Sequence, residues 1–170
     1  RVRAIRREHR DPVKSQLRTF NNLVHQGRMT QFGADHDFKN ILTPQDFQER
    51  VPVRNYEQAR KYFDAIRDGK AGVSWPGKPL YLAQTSGTPS GAKYIPITKE
   101  SIREQIKAAR DGLMFYMHNS KNSAFLDGKM MFLSGSPVLE TNDFSMKVGR
   151  LSGIVNHFVP AYLTRNRVPS

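Results

Sequence analysis

The chain has 170 residues, no cysteine, and 27 Lys and Arg against 15 Asp and Glu, a formal charge of +12. That length suffices for one domain with its own core, and the absence of thiols excludes a disulfide framework and thiolate metal sites while fitting a cytoplasmic location. No stretch is long and apolar enough to insert into a membrane, and the basic N-terminal stretch carries no apolar signal segment.

Residues 2–26 read as one helix. Val13, Leu17, Phe20 and Val24 recur at spacings of four and three and draw one apolar stripe, which Gly27 stops. Arg1, Arg3, Arg6, Arg7, Arg10, Lys14 and Arg18 stand there against only Glu8 and Asp11. Such a surface suits a nucleic-acid or membrane-surface binder. It lacks the interleaved aromatics that stack bases, however, and no zinc, homeodomain or ribonucleoprotein motif accompanies it. A solvated face pairing with acidic parts of a longer protein accounts for it, and no specific nucleic acid is expected. Residues 30–40 are predicted as a loop around Gly33. Thr43 and Pro44 open a short helix, with Asp46 at its positive end and Val51-Pro52 closing it. A further helix is predicted over 55–68, with Tyr56, Ala59, Tyr62, Phe63 and Ile66 on one side and Gly69 at its end. Residues 74–79 are turn material, with Trp75 covering a loop.

Two short apolar runs, Pro79-Leu-Tyr-Leu-Ala83 and Tyr94-Ile-Pro-Ile97, are predicted as the strands of a β-hairpin. Between them lies Gln84-Thr-Ser-Gly-Thr-Pro-Ser-Gly-Ala-Lys93. Gly87 and Gly91 let the main chain adopt angles closed to other residues and approach a ligand closely. Thr85, Ser86, Thr88 and Ser90 add hydroxyls, and Lys93 adds a mobile positive charge. Converging N–H groups, hydroxyls and a Lys suit a polyphosphate. A flexible Ser/Gly turn has the same composition. A Walker phosphate loop does not fit: three residues, not four, separate Gly87 from Gly91, Ala92 precedes Lys93, and Tyr94 follows it.

Thr98 then caps a long helix whose predicted buried line is Ile102, Ile106, Ala109, Leu113 and Met117. A strand follows over 129–133, and beyond Gly135 come loops with a further strand near 154–158. The sum is α/β layering, several helices with an incomplete sheet. A crossover between Ile97 and Lys129 places the hairpin and the later strand in one sheet. His9, His25, His36, His118 and His157 are scattered without ligand spacing, so no metal site is assigned. His36 either holds a loop together or acts on substrate. Ser86 and Ser134 lack an Asp/His pair and a Gly-x-Ser-x-Gly elbow, which leaves a hydrolase unsupported. Met130-Met131-Phe132, Tyr62 and Phe63 read as core.

The order Thr-Ser-Gly-Thr-x-x-Gly-x-Lys, on Thr85 to Lys93, resembles the phosphate-loop signature of the adenylate-forming superfamily. The variant Ser86-Gly-Thr-Pro-Ser-Gly-Ala-Lys-Tyr-Ile-Pro-Ile-Thr98 is more similar to one branch, the acyl acid–amido synthetases of the auxin-responsive-promoter family in its bacterial form. Gly27-Arg-Met-Thr-Gln-Phe-Gly33 with His36-Asp-Phe38, then Asp46-Phe47, Val51-Pro-Val53 and Tyr56, resemble further segments of that branch. So do Leu133-Ser-Gly-Ser-Pro137, Leu151-Ser-Gly-Ile154 and Val159-Pro160. The resemblance runs over roughly residues 20–170.

It implies an enzyme that uses ATP and Mg2+ to activate a carboxylic acid as an acyl-adenylate, which an amine or amino acid then converts to an amide. It implies phosphate binding by Thr85, Ser86, Gly87, Thr88, Ser90, Gly91 and Lys93, with Lys93 catalytic. Pro89 departs from the Thr or Ser common at its position, stiffening the turn and removing an N–H donor. Enzymes of this family are several times longer, so residues 1–170 are expected to be a partial N-terminal portion of the large domain. On that expectation the nucleotide-base site, the magnesium ligand and a C-terminal domain lie beyond Ser170, and the fragment alone is inactive. An acyl-CoA-ligase-type enzyme with a thiol acceptor and a basic nucleic-acid-binding module are the alternatives. The residues do not say which acid or which amine is used.

Overall fold

The structure, a computed structural model, describes residues 1–85, 91–131 and 133–168, Arg167 by its backbone alone. In chain order it forms α1 (Val2–Glu8), α2 (Pro12–Gly27), α3 (Gln31–Asp35), α4 (Pro44–Arg50) and α5 (Arg60–Arg67). Then come β1 (Tyr81–Gln84), β2 (Tyr94–Ile97), α6 (Lys99–Ser120), β3 (Met130–Met131), β4 (Glu140–Thr141), β5 (Lys147–Arg150), α7 (Leu151–Asn156), α8 (Ala161–Thr164) and β6 (Arg167–Val168).

The predicted helix over 2–26 is two helices. Asp11 accepts a hydrogen bond from the Lys14 N–H at 3.0 Å and Pro12 takes the first helical position, so Asp11-Pro12 starts a helix where a stripe alone suggested continuity. Only the end of that stripe is buried: Val24 is in the core, while Val13 and Leu17 are exposed. Residues 30–40 are not a loop but α3 and a single 3-10 turn, Phe38–Asn40. The Thr30 hydroxyl donates to the Gly27 carbonyl (2.7 Å) and accepts from the Gly33 N–H (2.9 Å). A Cβ on Gly33 would overlap the Gly27 carbonyl oxygen, so glycine is what lets this corner close. The N–H groups of Gln31 and Phe32 donate to the carbonyls of Gly72 and Val73, both at 2.8 Å, pinning α3 to the chain before the sheet.

The main sheet has the order β2-β1-β5-β4, with β1 antiparallel to β2 and parallel to β5, and β4 antiparallel to β5. Both faces are covered. Leu82 and Val148 pack with Tyr62, Ile66, Val73 and Met146, which lays α5 on one face. Ala83 and Ile97 pack with Ile102 and Ile154, which lays α6 and α7 on the other. Leu82 and Ala83 thus point to opposite sides, as the two-residue pleat requires. A third cluster, Val24, Phe38 and Ile41 with Phe20, Phe32 and Phe47, joins α2, α4 and the 3-10 turn.

The strand that crosses over to the hairpin is not the predicted one. β3, within 129–133, pairs with β6 in a separate two-stranded sheet, and β5 is the parallel neighbour of β1. Met131 is exposed rather than core, and Phe132 lies outside the described residues. The strand expected near 154–158 is α7 and the turn after it; the buried Ile154 faces the sheet from a helix. Of the buried line on α6, Ile102 alone is fully covered, and Ala109 is exposed.

Candidate functional site

β1 and β5 run parallel and finish together, Gln84 beside Arg150. In open α/β sheets the space outside the carboxyl ends of parallel strands is where ligands gather. The chain leaves β1 there into the 85–93 loop and returns as β2; it leaves β5 there directly into α7.

The Thr85 N–H donates to the Lys93 carbonyl at 3.0 Å, extending the hairpin ladder one step past Gln84 and Tyr94 and clamping the base of the loop. Thr85 and Gly91 are exposed, and Lys93 is half-buried. Gly91 has φ +94°, a backbone conformation that disfavours a side chain, and a Cβ there would meet nothing within 4 Å. Its glycine requirement therefore comes from the main chain, not from crowding. Ser86, Gly87, Thr88 and Ser90 lie outside the described residues.

One side chain outside the loop contacts its returning arm twice. The Tyr56 hydroxyl accepts from the Tyr94 N–H at 3.1 Å, and Lys93 Nζ lies 5.4 Å from the centre of the Tyr56 ring. Tyr56 belongs to a segment already marked by resemblance, but no site role followed from it, because the contact joins residues far apart in sequence. Beside the hairpin, Gln84 and Tyr94 line a cavity of about 160 Å³ with Arg67, Asn142 and Val148. Larger grooves, of about 650 and 700 Å³, run along α2 against α6 and along the α1–α2 corner, and no described loop residue lines them.

The segments 133–137 and 151–154 meet at the carboxyl end of β5. The Gly135 N–H donates to Ser152 Oγ at 2.9 Å, and Asn156 Nδ2 donates to Ser134 Oγ at 2.6 Å. Ser134 is thus tied to an amide, and no described contact pairs it with a base. His36 is architectural: its Nδ1–H donates to the Phe32 carbonyl (2.8 Å), which leaves Nε2 to accept from the Arg54 guanidinium (2.7 Å). Trp75 does hold a loop, its indole N–H donating to Glu100 at 3.2 Å. No group of three or more His, Asp or Glu among the described residues could hold a metal ion. No described helix is long and apolar enough to cross a membrane.

In sequence, 64 residues are 36% identical to indole-3-acetic acid-amido synthetase GH3.15 of Arabidopsis thaliana, covering 36% of this chain and 11% of that one. In structure, the chain superposes on a GH3.15 acyl acid amido synthetase with a TM-score of 0.69 at 20% identity, covering 82% of this chain and 25% of the other. It superposes on the AtGH3.15 acyl acid amido synthetase in complex with 2,4-DB with a TM-score of 0.62 at 21% identity, covering 76% and 23%. The chain therefore spans about a quarter of the length of the solved chains whose fold it shares. Residues 1–158 match the GH3 family N-terminal domain, and the chain belongs to that family.

Proposed function

We propose that this chain supplies the phosphate-binding hairpin of an ATP-dependent acyl acid–amido synthetase. Family membership supports the reaction class, and one observation carries the site: a Gly-, Ser- and Thr-rich loop with a single Lys, clamped at Thr85 and Lys93, at the shared carboxyl end of two parallel strands. One of the structural relatives is an acyl acid amido synthetase in complex with 2,4-DB, which supports a carboxylic acid as the first substrate here.

On this reading a carboxylate oxygen attacks the α-phosphorus of ATP and pyrophosphate leaves. The nitrogen of an amine or amino acid then attacks the acyl carbon and AMP leaves. The phosphate chain carries several negative charges, and the protein must gather them and hold the leaving group without reorganising at the moment of reaction. In this proposal the cradle is assigned to the Thr85 hydroxyl, whose own N–H is held by the Lys93 carbonyl, and to Ser86, Gly87 and Thr88; Ser90 and Gly91 are assigned to shaping the loop and Lys93 to neutralising charge. Magnesium would screen the same oxygens. The described residues offer no carboxylate cluster for it, so no ligand to the metal is assigned to this chain. Residues 1–170 stand in this proposal as part of the large domain and do not form amide alone, and the place of action is the cytoplasm.

The test is acid-dependent exchange of radiolabelled pyrophosphate into ATP by the full-length protein with a panel of carboxylic acids. Lys93→Ala is expected to depress exchange about a hundredfold, and Ser86→Ala about tenfold. Arg3→Ala and Arg7→Ala leave it unchanged. Exchange insensitive to Lys93 and Ser86 overturns the site, and amide synthesis by residues 1–170 alone overturns the domain assignment. Transfer to a thiol but to no amine would favour the acyl-CoA-ligase alternative.

A further inference from the structure

Tyr56 sits before α5 in a turn fixed by a reciprocal pair: the Asn55 N–H donates to Gln58 Oε1, and the Gln58 N–H donates to Asn55 Oδ1, both at 2.9 Å. Its ring stacks on Phe63 of α5, with centroids 4.6 Å apart and planes 12° from parallel. Neither ring is part of the buried cluster that α5 builds on the sheet, which uses Tyr62 and Ile66. The stacked pair forms a half-buried platform beside the core, and what rests on that platform is the returning arm of the loop. The hydroxyl takes the Tyr94 N–H, and the π-face takes the Lys93 ammonium.

We infer that Tyr56 is a positioning residue for Lys93, holding the loop's cation over an aromatic face so that its N–H groups stay available to phosphate. The inference rests on the phosphate-binding reading of the loop. A distance of 5.4 Å is within the roughly 6 Å at which a ring's negative face attracts a cation. A carboxylate at that place would cancel the charge that phosphate needs. A ring restrains a long, flexible side chain while leaving its charge intact, and it forms no directional bond that must be broken on transfer. Among the described residues no carboxylate is paired with Lys93.

The test uses the full-length protein and two readouts. In the first, lysines are reductively methylated with 13C, and the Lys93 signal is identified by its loss in Lys93→Arg. That signal is expected to lie upfield through the ring current of Tyr56, to stay there in Tyr56→Phe and to move to the ordinary position in Tyr56→Leu. In the second, Tyr56→Leu raises KM for ATP in pyrophosphate exchange about three- to tenfold. In the Lys93→Ala background the same change adds less than about twofold, since the two residues act as one unit. Tyr56→Phe stays within about twofold of the parent. Graded fluorination of a phenylalanine introduced at 56 keeps the ring's shape and empties its negative face, so KM should climb with fluorine count even if Tyr56→Leu fails to fold. An unshifted Lys93 signal, or effects of Tyr56→Leu and Lys93→Ala that multiply in full, overturns the positioning role. An unshifted signal with Lys93→Ala crippled removes the platform alone. A shifted signal with exchange unharmed in Lys93→Ala removes the phosphate-loop reading, and the catalytic use of the platform falls with it.

Discussion

Gly153, in the first turn of α7, stands against the main chain of Ser136 so closely that a Cβ would overlap the Ser136 carbonyl oxygen. The obstructing atom is backbone, which cannot swing aside as a side-chain tip can. Gly153→Ala must therefore push α7 off the 134–137 segment, where Ser152 and Asn156 make their hydrogen bonds. A loss of about 2–3 kcal/mol is expected, in the range of overpacked interiors. Gly112→Ala supplies the opposite sign: it lies inside α6 with nothing within 4 Å of its Cβ, so it should gain up to about 1 kcal/mol in helix propensity. Urea unfolding of both variants checks the pair, and equal effects would mean that close approach at Gly153 is not what its glycine provides.

Gly91 tests the loop rather than the core. Its φ of +94° with an open Cβ position makes the alanine penalty conformational, about 1–2 kcal/mol, and confined to an exposed hairpin end. Gly91→Ala should lower the unfolding midpoint by no more than that penalty accounts for while raising KM for ATP severalfold in pyrophosphate exchange. A large fall in stability with normal KM would reverse that assignment.

What the residues alone made legible divides along the range of the interactions. Local chemistry was readable: Thr43 and Thr98 cap α4 and α6 as expected, Gly69 closes α5 at φ +84°, and the hairpin pairs in the expected place. Asp11-Pro12 was readable too, but the stripe from Val13 to Val24 hid it. Long-range pairing was not. Lys147, Val148, Gly149 and Arg150 give no strong strand pattern, because β5 is short and takes its register from β1. β3 was found, yet nothing in Met130-Met131 says that its partner is β6. At the site, the resemblance marked Tyr56, Thr30, Gly33 and His36 without distinguishing their work. Thr30, Gly33 and His36 close the α2–α3 corner, and Tyr56 reaches the loop.

The two capping boxes predict a matched pair of losses. Thr98 Oγ1 accepts from the Ser101 N–H at 3.1 Å while the Thr98 N–H donates to Ser101 Oγ at 3.0 Å. Thr43 and Asp46 repeat the pattern at 3.2 and 2.9 Å. Thr43→Ala and Thr98→Ala should each cost about 1 kcal/mol. The urea midpoint should fall without a change in slope, since neither removes a folded element. The Thr98 variant should also loosen β2, whose last residue Ile97 immediately precedes the cap, and faster amide exchange at Leu80, which donates to the Ile97 carbonyl at 2.9 Å, would register it.

Asp35 supplies a pH-dependent term. Its carboxylate accepts from the Tyr62 hydroxyl at 2.7 Å and from Lys61 Nζ at 2.9 Å. The Tyr62 hydrogen bond first, then that from Lys61, holds its pKa below the ordinary Asp value of about 3.9. A depressed carboxylate pKa contributes stability that is complete above the unfolded value and is lost as pH falls through the folded one. Tyr62 is buried, whereas Lys61 is 61% exposed, so the tyrosine should carry most of the effect. Tyr62→Phe is expected to cost about 1 kcal/mol at pH 7, low for a bond to a charged acceptor because Asp35 is itself 34% exposed. Lys61→Ala should cost less than Tyr62→Phe, since its ion pair is solvent-screened. The difference between the parent and Tyr62→Phe should shrink as pH drops below about 4, where the carboxyl is protonated in the unfolded chain and then in the folded one. Unfolding free energies measured at pH 7 and pH 3 decide it: a gap of equal size at both would mean that the hydroxyl, not the charge it bonds, sets the stability of this corner.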